Sequence, residues 1–426
     1  MGIKGLTKEI KKVAPSAIQT LTYKELADLS TCGCYGVDVY SYLYPTQYNV
    51  ANKGKGNHIR EFMEMIAMWA EHNIRLVFVF DGNTNSEAKR ATIDQRNASR
   101  SSEHDNIQRI IDEIIQEEGL PEDAVSDDIS VIGHTILRSN KGNAEQRIEL
   151  EMALRTYIHV SKDKVKDLQT LFDLVGAKYV FARGEADFIL AALYRNGYID
   201  GVISEDCDML THGIHRLVRG LTDASLRRQG QLMVYSLPTV LEYMDLSMSQ
   251  FIYYCILCGC DYCPKIDGVA GVTGLRLLKK YGSIPNIIEY IRKGVIKYRP
   301  SVDLDSYEFQ YQRAYQIFNE EQEPLDPELL LTGEYIISDQ CSEWILSETN
   351  YGKDTLQAKF NTIRNLQVKA QAQAQAQERI PVQAKIQVQA KAKIQVQAKA
   401  KVQVQAKAKV QVAKVKVQAK AKEAKV

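Results

Sequence analysis

The chain has 426 residues, 45% of them hydrophobic and 25% charged, with a net charge of +1, which is enough for one large or two medium buried cores. No apolar run is long enough to span a bilayer, and the start MGIKGLTKEI lacks the apolar centre of a secretory signal, so the sequence reads as soluble and intracellular. Thirteen lysines and one arginine against two glutamates give the stretch from Leu366 onward a charge of +12, leaving −11 for the rest. An acidic body with a basic arm fits a carboxylate-rich site attached to a segment that attracts polyanions.

The first 82 residues contain two strand-like runs, CYGVDVYSYLY and IRLVFVFDG, on either side of residues 58–72, whose apolar positions recur at helical spacing. Strand–helix–strand predicts a parallel α/β sheet. Asp38 and Asp81 then fall at or near strand carboxyl ends, where open α/β sheets place their ligands. Residues 83–160 turn polar and charged with helical potential and little strand signal, which reads as an insertion. The α/β pattern resumes with KVKDLQTLFDLVG (helix), AKYVFA (strand), GEADFILAALYRNG (helix) and YIDGVISEDCD (strand). Glu185 and Asp187 open a helix, where the positive end of the dipole favours carboxylates. Asp206 and Asp208, two apart in an extended stretch, are expected to point to one face.

A helix, SQFIYYCILCG, leads to Asp261 and the glycine-rich segment IDGVAGVTGLRLLKKYGS, whose turn exposes backbone groups suited to a phosphate backbone and a monovalent cation. Cys255, Cys258, Cys260 and Cys263 form two CxxC pairs one residue apart, too close for the usual structural zinc site; buried, reduced thiols are the preferred reading. His212 and His215 read as structural rather than ligating. From Gln389 to Val412 the octads QAKAKIQV, QAKAKVQV and QAKAKVQV follow one another. With no aromatic residue beyond Phe360, this tail is expected to be disordered and to attract nucleic acid non-specifically.

Seven acids thus sit in five short patches: Asp38, Asp81, Glu185 with Asp187, Asp206 with Asp208, and Asp261. Like charges gathered together resist ionising, so the pattern points to hard, oxygen-loving cations, Mg²⁺ or Mn²⁺, and to chemistry on phosphate esters.

MGIKGL, VAPSAI, YGVDVYSYLY, VFVFDG, GEAD, SEDCDML, CILCGCDYC and the glycine-rich turn resemble, in order and spacing, the flap endonuclease/XPG-type 5′ nucleases over about residues 1 to 330. VAPSAI looks like the flap endonuclease branch; GEAD and CILCGCDYC look like the 5′→3′ repair exonuclease branch. The resemblance implies a PIN-like (resolvase-like) parallel sheet flanked by helices, with a helical cap insertion, a helix–two-turn–helix DNA-binding element and the disordered tail. Its divisions would be a nuclease region over 1–110, a gateway and cap over 83–160, an internal nuclease region over 161–345 with the helix–two-turn–helix at about 252–282, and the basic tail over 366–426.

The resemblance further implies two Mg²⁺ ions per site, replaceable by Mn²⁺ and ~4 Å apart. Asp38, Asp81, Glu185 and Asp187 would surround one, and Asp206, Asp208 and Asp261 would hold the other. One ion would activate water and the other would stabilise the leaving 3′ oxygen. It assigns Lys89 and Arg96 to a basic pair at the scissile phosphate (one place further from Asp81 than usual), Tyr44 to base stacking, and Gly2, after loss of Met1, to a position near the substrate. Gly268 and Gly271 would meet the duplex backbone. Ala270 stands where the family carries glycine, and its Cβ narrows the approach that a monovalent cation needs. Phe188 and Ile189 replace small or polar residues. The implied substrate is DNA with a 5′ flap or 5′ end, cut by a monomer without a membrane or a clamp-binding box. The implied place is the nucleus, or a cytoplasmic replication site if the chain is viral. Two rivals remain open: a 5′→3′ exonuclease on duplex DNA or RNA-containing substrates, and a catalytically degenerate protein that binds branched DNA.

Overall fold

The computed structural model describes residues 2–46, 56–82, 90–121, 128–157, 160–266, 268–297, 303–319, 335–338 and 340–378. The chain divides into two units, Met1–Leu366 and Gln367–Val426.

Seven strands form the sheet of the first unit: β1 (Ile18–Thr22), β2 (Cys34–Asp38), β3 (Arg75–Phe80), β4 (Lys178–Phe181), β5 (Val202–Ile203), β6 (Arg216–Arg219) and β7 (Gln231–Ser236). They lie in the order β1-β7-β6-β5-β2-β3-β4. β6, β5, β2, β3 and β4 are parallel neighbours. The expectation of a parallel sheet needs one correction, because β7 runs antiparallel to both β6 and β1. A short connection through helix Ala224–Gln229 joins β6 to β7, and a short connection lets adjacent strands reverse direction, whereas parallel neighbours need a long crossover.

Helices cover both faces. On one, Leu6, Ile10, Leu190, Phe251, Leu278 and Tyr307 share a core; on the other, Phe62, Trp69, Phe78, Phe172 and Ile345 do. Every residue of β2 is buried, as befits a strand covered on both sides. Gly36 lets helix Ala186–Arg195 come close: a Cβ there would stand 2.5 Å from Leu190 Cδ2 and 2.9 Å from Ile199 Cδ1. Absence of one side chain therefore sets how near the Glu185–Asp187 helix start lies to the end of β2.

Two strand assignments are shorter than expected. The run CYGVDVYSYLY is strand only as far as Asp38 and continues as helix Val39–Thr46. Asp38 itself makes the switch: its Oδ1 accepts the Ser41 N–H at 3.2 Å, the bond of a helix N-cap. In YIDGVISEDCD only Val202–Ile203 is strand, and Cys207–His212 winds into a 3-10 helix. Asp208 is therefore helical and Asp206 is its N-cap, so strand alternation does not govern them.

In the polar stretch after Asp81, helices Arg90–Glu118, Ile129–Arg138 and Ala144–Thr156 bury a small core of their own, with Ile107, Ile111, Ile114, Ile136 and Leu150. Helix Lys353–Glu378 includes residues 366–378; the octad repeats lie outside the described residues.

Candidate active site

The acids gather along the carboxyl edge of the parallel strands. Asp38 ends β2 and pairs in register with Val79 of β3, two residues short of Asp81. Ser204, just past β5, donates its hydroxyl to Asp38 Oδ2 at 2.9 Å and accepts the Asp206 N–H at 3.1 Å. Burial, followed by the charges of Asp81 and Asp206, pushes the Asp38 carboxyl up to about 7. Asp81 Oδ1 accepts the Ala186 N–H at 2.7 Å, at the start of the Glu185–Asp187 helix. Beside it the Gly82 N–H donates to Gly184 O at 2.7 Å, and a Cβ on Gly82 would lie 1.9 Å from Ala182 O. That contact is open only to glycine.

Glu185 is the N-cap of helix Ala186–Arg195, and Asp187 lies in its first turn. Tyr262 donates its hydroxyl to Glu185 Oε2 at 2.6 Å. Burial first, then the charges of Glu185, Asp187 and Asp208, hold that phenol protonated far above its usual range. Tyr262 follows Asp261 in the turn closed by the backbone hydrogen bonds between Cys260 and Cys263, so this turn reaches Glu185 and lies within the field of Asp187 and Asp208. His212 Nε2 stands 3.9 Å from Asp187 Oδ2. Gly2 also arrives here: a Cβ on it would lie 3.3 Å from Asp208 Cγ and 3.4 Å from Asp206 Oδ1. Its neighbour Lys4 is tied by its N–H to Gly259 O at 3.0 Å.

The other expected residues are more scattered. Tyr44 is on helix Val39–Thr46, where Arg100 donates to its hydroxyl at 3.1 Å and stands 5.7 Å from its ring centre. Arg96 belongs to helix Arg90–Glu118, and Lys89 lies outside the described residues. Gly268 and Gly271 have φ of 82° and 58°; Ala270 between them is the N-cap of helix Gly271–Tyr281 in extended conformation. The four clustered cysteines are free thiols. Burial raises each of them, Cys260 to about 11. His215 packs on Tyr194.

Among the described residues, no three His, Cys, Asp or Glu side chains already converge as a cation site. The donor chemistry nonetheless fits a hard divalent cation: every acid offers oxygen, and Asp38 is pushed up by burial and then by the negative charges of Asp81 and Asp206. Sequence reasoning passed over Ser204 and Tyr262, the hydroxyls that orient Asp38 and Glu185. Both lie inside motifs already singled out, SEDCD and GCDYC, and that adjacency was the available signal.

Sheet and acids together define an α/β protein with carboxylates collected at the strand carboxyl edge. The XPG N-terminal domain family matches residues 1–103, and the XPG I-region matches residues 176–261. Flap endonuclease 1-A of Sorghum bicolor is 31% identical over 340 residues, covering 78% of this chain and 79% of that protein. Flap endonuclease 1 of Zea mays is 29% identical over 381 residues, covering 87% and 88%. A solved structure described as the catalytic core of Rad2 in complex with DNA substrate shares the fold, with a TM-score of 0.56 at 17% identity, over 84% of this chain and 99% of that one. The chain belongs to the flap endonuclease/XPG-type family of structure-specific nucleases, and membership implies dependence on divalent metal.

Proposed function

We propose that the protein is a Mg²⁺-dependent 5′ nuclease that hydrolyses phosphodiesters at 5′ flaps or 5′ ends of branched DNA, in replication or repair. The observation that carries this reading is the buried Asp38 carboxyl, raised beside Asp81 and Asp206: an acidic edge that repels itself suits cations and the phosphate they neutralise. Asp38, Asp81, Glu185 and Asp187 would hold one ion and Asp206, Asp208 and Asp261 a second, with Mn²⁺ able to substitute. Bound ions supply an activated water and charge neutralisation at the phosphate. The chain's own part is to place the substrate. Gly2 brings the N-terminus against Asp206 and Asp208, Tyr44 offers a ring to the base beside the cut, and Lys89 and Arg96 meet the phosphate. Gly268 and Gly271 bring backbone to the duplex without sequence preference.

The fold would be PIN-like, with residues 83–160 as gateway and cap and about 252–282 as the helix–two-turn–helix. The partner is DNA, as in the Rad2 complex of the same fold, and the protein would act as a monomer. Among the described residues no helix is long and apolar enough to cross a membrane; a nuclear or viral-cytoplasmic place of action remains part of the proposal.

A second reading has its own support. Among the described residues no three ligands converge, and this favours a branched-DNA binder with degenerate catalysis. Incubation with a 5′-end-labelled flap, with Mg²⁺ and with chelator, separates the readings. A released flap of defined length that disappears with chelator supports the endonuclease, and mononucleotides alone support the exonuclease. Binding without any product supports the degenerate form.

A further inference from the structure

Each carboxylate that opens helix Ala186–Arg195 meets a side chain from a distant part of the chain: Tyr262 for Glu185 and His212 for Asp187. Those two partners share a neighbour. Phe318, near the end of helix Leu304–Asn319, stands edge-on to both. Its ring centre lies 5.5 Å from that of His212 and 5.5 Å from that of Tyr262, at interplanar angles of 70° and 78°. On another side of His212, Phe188, the residue after Asp187, meets the imidazole edge-on at 5.3 Å. Phe318, His212 and Tyr262 are all buried. Helix Leu304–Asn319 packs on helix Met248–Cys258 and on the 3-10 helix Cys207–His212, and it lies beyond both segments that match the family.

We propose that Phe318 is a positioning residue of the nuclease centre: by holding His212 and Tyr262 in place, it fixes the orientation of the Asp187 and Glu185 carboxylates for a divalent cation. The inference rests on the reading of Glu185 and Asp187 as cation ligands. Its physical basis is rotational. A carboxylate with one oxygen held by a phenol presents its other lone pairs in a set direction, and a phenol or imidazole wedged between ring edges cannot turn away. Without the Phe318 ring, both partners gain room: Glu185 loses the hydrogen bond that sets its direction, and Asp187 loses a fixed imidazole 3.9 Å away. Residues that orient ligands typically govern metal affinity by ~10–100-fold.

The test uses the full chain and Mn²⁺ alone, with affinity read by calorimetry and by the electron paramagnetic resonance of bound Mn²⁺, together with flap-DNA affinity in chelator. Phe318→Leu keeps apolar volume but loses the ring; it is expected to weaken Mn²⁺ binding by ~10-fold with DNA affinity unchanged, and Phe318→Tyr to restore it to within about twofold. Tyr262→Phe is expected to weaken Mn²⁺ binding to a similar degree, and the double variant to lose less than the product of the two single losses, because the Tyr262–Glu185 hydrogen bond is lost only once. Tyr311→Leu, on the same helix but tilted against Tyr307 at 6.1 Å between ring centres, should lower thermal stability and leave Mn²⁺ affinity unchanged. Wild-type Mn²⁺ affinity in a folded Phe318→Leu protein overturns the proposal, as does an equal loss in Tyr311→Leu. Failure of the wild-type chain to bind Mn²⁺ overturns the ligand reading itself, which is a distinct result.

Discussion

An aspartate lies by each end of strand β2, and the two are treated in opposite ways. Beside its start, Asp200, from the segment that leads into β5, accepts from the Ser30 and Thr31 hydroxyls and from the N–H groups of Thr31, Cys32 and Gly33. Burial works against its charge, yet the hydrogen bonds from Ser30, Thr31 and Cys32 hold its carboxyl far below the usual range. At the other end, Asp38 accepts from Ser41 and Ser204 but faces Asp81 and Asp206, and burial and those charges raise it. The protein solvates the first anion with its own donors and leaves the second to be neutralised from outside. A buried acid that brings its own donors belongs to the architecture; one surrounded by other acids belongs to chemistry.

The comparison breaks most sharply at the acidic edge. Asp208→Ala should slow Mg²⁺-dependent cleavage of a 5′-labelled flap by more than the ~10–100-fold typical of residues that merely support a ligand, with flap affinity in chelator unchanged. Wild-type turnover would remove Asp208 from the site. At the opposite edge, Asp200→Ala should leave Mn²⁺ affinity alone and lower the free energy of unfolding in urea by about 3 kcal/mol, since several buried donors lose their acceptor. Lost metal binding with intact stability would invert the comparison.

Gly82→Ala tests how tightly the edge is assembled. The added Cβ must push the Ala182 carbonyl away, at a cost of about 1–3 kcal/mol, and should move Asp81 relative to Glu185 and so weaken Mn²⁺ binding as well. A variant as stable and as tight-binding as wild type would show that the two segments move freely.

A further test of the same contrast is in pH. Asp38 holds its proton longer folded than unfolded, from an ordinary 3.8 to about 7. As pH rises through that window, the unfolded chain releases this proton first, so the group's contribution to stability is full below about 4 and falls away toward 7. Without metal the melting temperature should drop across that range by a few degrees. Saturating Mg²⁺ should flatten the drop, because a cation at the edge favours the ionised form. An identical pH profile with and without Mg²⁺ would count against cation binding there.

Much of this edge was legible in the sequence. The motifs VDVY, FDG, GEAD and SEDCD placed their acids at strand ends and helix starts, and those places are where the acids lie; Asp261 of GCDYC instead stands in a turn past the end of helix Met248–Cys258. Helix Asn57–Glu71 matched its apolar period closely. The errors have a common cause. Residues 39–46 look like strand because Val and Tyr favour it, but the Asp38 cap bond and burial against Phe62 and Phe78 turn them into helix. Asp206 and Asp208 were read by a strand's alternation where the chain had already turned. The antiparallel β7 carries no local mark of its direction, because direction depends on which neighbour it pairs with.

The sequence by itself determined the inventory: seven carboxylates in ordered motifs, a parallel core, a helical insertion and a basic low-complexity end. These follow from local residue types and their periods, which any short window contains. Only the tertiary structure decided which acids face one another, that Ser204 and Tyr262 orient them, and that Phe318 stands behind both His212 and Tyr262. Those are contacts between residues tens to hundreds of positions apart. They arise from how helices and strands pack, and no local pattern records that.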